Sequence, residues 1–336
     1  MTPTAPTVDV PPQPWTGRFD GDGDEHRRWW QAVSPYTGTN NNNNNNGGAS
    51  AVPPEPAAST ETATSRPAII LGFASDEGVR RNKGRTGAAQ APAAIRAALG
   101  PLAFHLDRAV SDAGDIVVSD GALEAGQARA GQAITAMLDG GSLTVVLGGG
   151  HETAYASYLG VAGSEAVRGG QRLGVLNLDA HFDLRQEALP SSGTPFLQMA
   201  GAEAAAGREF RYAVVGISEP NSTRALFTTA ERLGVQYLLD EDCTAERVAG
   251  FVAQFVDSVD VLYLTIDLDV LPASVAPGVS APAAYGVPLP VISAVCRQVA
   301  DSGKLLHLDV AELNPEFDID GRTAKVAARL VNTLLH

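Results

Sequence analysis

Six short apolar runs punctuate the chain from Pro67 onward, at residues 68–73, 143–147, 173–178, 212–217, 261–266 and 305–310. Each is long enough for a strand and too short for a helix. Each is almost continuously apolar rather than alternating, so both of its faces must be covered. That pattern belongs to parallel sheets whose crossover helices cover the two sides. The covers are present in the sequence. Ala-rich segments with helical spacing occupy 91–99, 122–138, 153–161, 222–233, 246–256, 289–300 and 322–335. The fold class expected is therefore α/β, a three-layer arrangement with a central, mostly parallel sheet and helices on both faces.

The first part of the chain is built differently. Residues 1–14 are rich in Pro and Thr and are expected to be a disordered N-terminus. Residues 15–36 carry Trp15, Phe19, Trp29 and Trp30, enough apolar surface to pack on the core. Residues 37–66 contain an Asn tract at 40–46 followed by Gly, Ala, Pro, Ser and Thr, and are expected to be a low-complexity, disordered linker. Residues 67–336 form the expected catalytic domain. A formal charge of −14 argues against a nucleic-acid partner, which requires a basic footprint. It also means that an anionic substrate must be met by local cations. Cys243 and Cys296 are too few for a disulfide framework and are expected as buried thiols. No run reaches the roughly 18 apolar residues of a membrane span, and no signal-peptide pattern opens the chain, so a cytoplasmic location with no membrane partner is expected.

Ligands of such sheets bind at the carboxyl ends of the strands. Four of the runs end in chemistry-bearing residues: Gly148-Gly149-Gly150-His151-Glu152, Asp179-Ala180-His181-Phe182-Asp183, Asp267-Leu268-Asp269 and Glu312-Leu313-Asn314-Pro315. Taken alone, Asp179–Asp183 is also what a polar strand end capping the next helix would look like. Four ends converging on one rim favour a metal site. His151, Asp179, His181, Asp183, Asp267 and Asp269 would crowd one small ion, and two ions share them more naturally. The glycine triplet lacks the Lys-Ser or Lys-Thr of a phosphate loop, and is read as room for close backbone approach.

The first three of these motifs, Gly148–Glu152, Asp179–Asp183 and Asp267–Asp269, resemble, in order and spacing, the signature motifs of the ureohydrolase family, over roughly Pro67 to the C-terminus. The resemblance implies an arginase-like fold, a homo-oligomer, and two Mn²⁺ per subunit. One metal would take His151, Asp179, Asp183 and Asp267, and the other Asp179, His181, Asp267 and Asp269. Asp179 and Asp267 would bridge, and Asp183 would orient the attacking water. Glu312, in a Glu-x-Asn-Pro element, would pair with the cationic C–N group of a small-molecule substrate.

Within the family, arginases and agmatinases place a histidine in the loop after the second motif. This chain has none between His181 and His307. Its stretches Asp76–Arg85, Ser191–Phe196, Ala276–Pro282 and Trp15–Gly21 resemble instead the formimidoylglutamase branch. That resemblance implies hydrolysis of N-formimidoyl-L-glutamate to L-glutamate and formamide, in histidine degradation. The substrate's two carboxylates need donors. Arg185, Ser191, Ser192, Gly193, Arg85 and Asn82 are the candidates, with Arg81 a further one. The alternative is another ureohydrolase acting on guanidinobutyrate, agmatine or arginine and releasing urea. The complete ligand set with Glu312 argues against a non-enzymatic metal-binding regulator, and the doubled carboxylates against a single-zinc deacetylase.

Overall fold

The computed structural model describes residues 6–38 and 65–336. Its core is one sheet of nine strands: β1 Ser34–Pro35, β2 Ala68–Ala74, β3 Val110–Val117, β4 Leu143–Leu147, β5 Leu173–Leu178, β6 Arg211–Ile217, β7 Gln236–Leu239, β8 Val261–Asp267 and β9 Leu305–Ala311. They lie in the order β1-β3-β2-β4-β9-β8-β5-β6-β7, and every pairing is parallel.

Both faces of this sheet are covered. Ala68 and Ile70 of β2 point into a core closed by helices Ala91–Leu99, Ala245–Asp257, Leu289–Asp301 and Arg322–Leu335. Their neighbours Ile69, Leu71 and Phe73 point into a second core closed by Leu123–Asp139, Thr153–Gly163 and Pro195–Ala205. Every residue of β4, β5, β8 and β9 is buried, which is why these strands read as largely apolar runs with few polar interruptions. Among the described residues no helix is long and apolar enough to cross a membrane.

Three strands lie outside the six expected, each for a physical reason. In β3, Ser111, Asp112 and Asp115 break the apolar run. The polar residues are held there by Arg96, whose Nε and Nη2 donate to Asp112 at 2.8 and 2.9 Å while Nη1 donates to Asp115 at 2.5 Å. β7 is a short edge strand of exposed and half-buried residues, and β1 has only two residues. Helix Pro195–Ala205 also went unread, because its start is continuous with the loop after β5.

The N-terminal stretch departs from expectation as well. Residues 1–5 and 39–64 lie outside the described residues, and with them most of the expected linker. Residues 6–14 do not hang free. Asp9 and Val10 both donate to the Asp115 carbonyl at 2.9 and 3.1 Å, and Asp115 donates back to Val10 at 2.8 Å. Because β1 pairs with only Ser111 and Asp112, it leaves the rest of that strand edge open, and Val10 fills it. Trp29 is fully buried and stacks on Trp15, whose Nε1 donates to Asp112 at 2.7 Å. Asp112 thus joins β3 to the N-terminal segment through Trp15 and to helix Ala91–Leu99 through Arg96, and the charge of both acids rests on Arg96. Replacing it strands two poorly solvated acids. Arg96→Met is expected to lower stability by about 3 kcal/mol, read as a fall in the urea midpoint at constant metal content. A change below about 1 kcal/mol would mean that the cluster is not a structural tie.

Candidate metal centre

The four strands whose ends looked chemical, β4, β9, β8 and β5, are consecutive in the sheet. β4 and β5 follow one another in sequence, yet β9 and β8 lie between them. The connection therefore opens a crevice above their carboxyl ends, the position where α/β sheets bind ligands. His151 follows β4, Asp179 to Asp183 follow β5, Asp267 and Asp269 close β8, and Glu312 follows β9.

Local backbone geometry is specialised here. Asp183 and Glu312 adopt φ of 48° and 68°, a conformation that L-residues hold only when their surroundings enforce it. The glycines before His151 are explained by crowding from the backbone after β2. A Cβ on Gly149 would sit 1.7 Å from the Ser75 carbonyl oxygen, and one on Gly150 would meet the Glu152 carboxylate at 2.2 Å. That close approach lets Gly150 donate to Ser75 and Glu312 donate to the Gly149 carbonyl, joining three strand ends.

The potential ligands fall into two touching groups. His151, Asp179, Asp183 and Asp267 offer ligand atoms all within 4.8 Å of one another, and so do Asp179, His181 and Asp269. His151 Nδ1 lies 2.9 Å from Asp183 and 3.2 Å from both Asp179 and Asp267. His181 Nδ1 lies 3.1 Å from Asp269 and 3.6 Å from Asp179. Asp179 belongs to both groups. Asp267, expected as the second bridge, falls in the first group only.

Electrostatics tests whether these groups suit metal. Burial alone would lower the basicity of His151, yet hydrogen bonds to Asp179, Asp183 and Asp267 raise it well above the ordinary value. His181 is raised in the same way, against its burial, by Asp269 and Asp179. Two imidazolium charges still leave a surplus of carboxylate. Burial and the neighbouring Asp179 push Asp183 up to about 6, and burial with Asp269 and Asp179 raises Asp267 well above the carboxylate range. A mixed oxygen and nitrogen donor set that drives its own members to hold protons fits divalent cations, which supply more positive charge in the same space.

The other face of His151 was not foreseen. Its Nε2 lies 3.0 Å from Thr265 Oγ1, and the Thr265 hydroxyl donates to Asp309 at 2.5 Å. Tyr263 donates to the second oxygen of Asp309 at 2.6 Å. Since the threonine proton is committed to Asp309, Nε2 must be the donor to Thr265. That arrangement leaves Nδ1 as the ligand atom aimed at the cluster. Thr265 and Asp309 lie inside the apolar runs, where the sequence marks them only as polar interruptions.

A cavity of about 310 Å³ opens over the centre. Of the expected substrate contacts, Asn82, Arg85, Arg185, Ser192 and Glu312 line it, and Ser191 and Gly193 do not. Ser191 Oγ donates to Glu187 at 2.7 Å, and the Gly193 amide turns back to Ser191. Arg81 is committed elsewhere, to Glu77, Glu124 and the Pro190 carbonyl. Lys83, Asn221 and Leu226 also line the cavity and were missed. Lys83 follows helix Glu77–Arg81, Asn221 ends a short 3-10 turn and Leu226 lies in helix Arg224–Arg232, so it is the fold that brings the three together. Glu312 accepts from the His151 amide at 2.8 Å. Burial, with Glu152 and Asp269 nearby, pushes its carboxyl up to about 8, so an incoming cation would ionise it.

Comparison with known proteins agrees with this geometry. The arginase family model matches residues 66–336. A formimidoylglutamase of Rhodococcus jostii is 53% identical over 329 residues, covering 97% of this chain and 96% of its own. One from Chromobacterium violaceum is 47% identical, covering 95% and 96%. Among solved structures, Trypanosoma cruzi formiminoglutamase with Mn²⁺ matches with a TM-score of 0.71 and 26% identity, over 82% of this chain and 95% of its own. The formimidoylglutamase of Bacillus subtilis matches in fold with a TM-score of 0.72 at 21% identity, over 83% and 89%. The chain belongs to the arginase family.

Proposed function

We propose that this protein is a formimidoylglutamase, hydrolysing N-formimidoyl-L-glutamate to L-glutamate and formamide in histidine degradation. The likeness to formimidoylglutamases over nearly the whole chain carries this reading. The cavity's chemistry supports it, with an acid for a cationic head and basic residues for an anionic tail.

We assign Mn²⁺ as the metal, two per chain: His151, Asp179, Asp183 and Asp267 would hold one, and Asp179, His181 and Asp269 the other, which Asp267 would join as a second shared carboxylate only by turning towards it. When bound, such a pair of cations acidifies a shared water and stabilises negative charge that develops on the substrate. The protein's own groups do the rest. Glu312 takes the formimidoyl head as an amidinium through a charge-assisted contact, and fixes its carbon over the cluster. Asp183 accepts a hydrogen bond from the attacking water and aims it. Water adds to the formimidoyl carbon. The bond from that carbon to the glutamate nitrogen then breaks as this nitrogen takes a proton, and formamide carries away the oxygen. The cavity contains no histidine besides His151 and His181 among the described residues, so Asp183 is the group assigned to pass the proton on. Arg185 holds a substrate carboxylate. Asn82 and Ser192, joined at 3.1 Å, complete that wall. Arg85 lines the cavity beside them, while Ser191 and Gly193 hold the loop in shape. A cytoplasmic homo-oligomer fits this role.

Glu312 would serve a guanidinium equally well, which keeps hydrolysis of a guanidino compound as the second reading. Product analysis separates them. Protein stripped by a chelator is expected to be inactive, and Mn²⁺ is expected to restore release of formamide and glutamate in equal amounts. Faster urea release from guanidinobutyrate, agmatine or arginine would overturn the assignment.

The hydrogen bonds behind His151 give a separate expectation. Asp309→Asn weakens the fixed orientation of Thr265 and the imidazole, and is expected to reduce Mn²⁺ affinity by about ten- to a hundredfold. Metal titration of folded variant protein checks this, and unchanged affinity would remove Asp309 from the account.

A further inference from the structure

Three cations line the cavity: Lys83, Arg85 and Arg185. Arg85 is built into the wall. Its Nε donates to the Ser280 carbonyl at 2.9 Å, Nη2 donates to the Val279 carbonyl, and its guanidinium lies 4.0 Å over the Phe317 ring. The side chains of Lys83 and Arg185 have no hydrogen-bond or ion-pair partner among the described residues. That is unusual company, because the nearby Arg80 and Arg81 are both held by Glu77. The loops that carry the two free cations meet: a Cβ on Gly193 would lie 2.7 Å from Arg185 Cδ and 3.2 Å from the Asn82 side-chain amide. In a chain of net charge −14, two neighbouring loops each direct an uncompensated positive charge to one cavity.

The backbone adds an independent observation. Lys83 follows helix Glu77–Arg81 with φ of 63°, a conformation that suits glycine. Five described non-glycine residues have positive φ, and three of them, Lys83, Asp183 and Glu312, line this cavity. The other two, Asp120 and Asp320, are aspartates, which tolerate the conformation better than lysine does. The Lys83 amide donates to the Arg80 carbonyl and the Gly84 amide to Val79, so this turn ends the helix and sets the exposed Lys83 side chain at the rim of the cavity.

We propose that Lys83 and Arg185 form a two-cation clamp, each taking one carboxylate of a dianionic substrate. The proposal rests on the formimidoylglutamase reading and extends it: Lys83 becomes a specificity residue that selects glutamate derivatives over monoanionic amidines. Arg85 shapes the wall without meeting the charge.

The test compares N-formimidoyl-L-glutamate with N-formimidoyl-4-aminobutyrate, which lacks the α-carboxylate, and N-formimidoyl-2-aminobutyrate, which lacks the side-chain carboxylate. Lys83→Gly keeps the turn, since glycine adopts its φ without strain. It is expected to raise KM for the glutamate derivative about tenfold, with kcat within about twofold. It should leave KM unchanged for the one analogue that lacks the carboxylate Lys83 holds. Arg185→Ala should show the same pattern with the other analogue, and Lys83→Arg should recover most of the loss. Calorimetry of L-glutamate binding to Mn²⁺-loaded protein gives a readout without turnover, with affinity about tenfold weaker in Lys83→Gly. Unchanged KM and glutamate affinity in Lys83→Gly would overturn the clamp, as would both variants losing the same carboxylate. Wild-type protein inactive on all three amidines would instead defeat the proposed reaction, and glutamate binding would still decide the clamp.

Discussion

Asp179, Asp183, Asp267 and Asp269 are brought together by the ends of two adjacent strands, β5 and β8, at the centre of the sheet, with His151 and His181 beside them to offset their charge. Their mutual repulsion, in a place with little water, is the constraint around which the rest of the molecule is arranged. The strands that carry them are buried on both faces, so the acids cannot move apart without opening two hydrophobic cores. The histidines respond by becoming strongly basic and Asp183 and Asp267 by becoming weakly acidic, while hydrogen bonds from both imidazoles hold Asp179 below the usual carboxylate range against its burial. Divalent cations remove that conflict, so metal binding and the stability of this end of the fold are expected to be linked.

From the centre outward, each layer fixes the one before it. Thr265 and Asp309 set the orientation of His151, and the backbone of Gly149 and Gly150 packs against Ser75 so that His151 and Glu312 share a hydrogen bond. Beyond them lies the cavity wall, where specificity resides. In the proposed mechanism the metal ligands would provide general amidine hydrolysis chemistry, and Glu312, Arg185 and Lys83 would decide which amidine is presented to it. Asp183 would belong to both tasks, as a ligand and as the group that aims the water.

The legible part of the sequence was the part where one physical requirement dominates. β4, β5, β8 and β9 are mostly apolar because both faces are buried, and their ends are polar where ligands of such sheets bind. The fold class and the six candidate metal ligands are therefore legible. β3 was hidden because Asp112 and Asp115 are neutralised by Arg96, a partner whose role only tertiary contact reveals. Asp309 was hidden because a buried acid inside an apolar run carries no motif. Lys83 sits between Asn82 and Arg85 on the same turn, and nothing in the local sequence distinguishes a free cation from a committed one such as Arg85. Residues 6–14 looked like a tail by composition, but composition does not show that β1 leaves part of the β3 edge open.

The claim on which everything else rests is that the paired groups of acids and imidazoles hold two divalent ions per chain. Metal analysis of purified protein loaded with Mn²⁺ and passed through a desalting column tests it directly, alongside His181→Ala protein treated in the same way. The account predicts two Mn²⁺ per chain in the wild type and about one in the variant, because removing His181 weakens the second group and leaves the first intact. A wild-type stoichiometry of one or none, or a variant that still retains both ions, would contradict it.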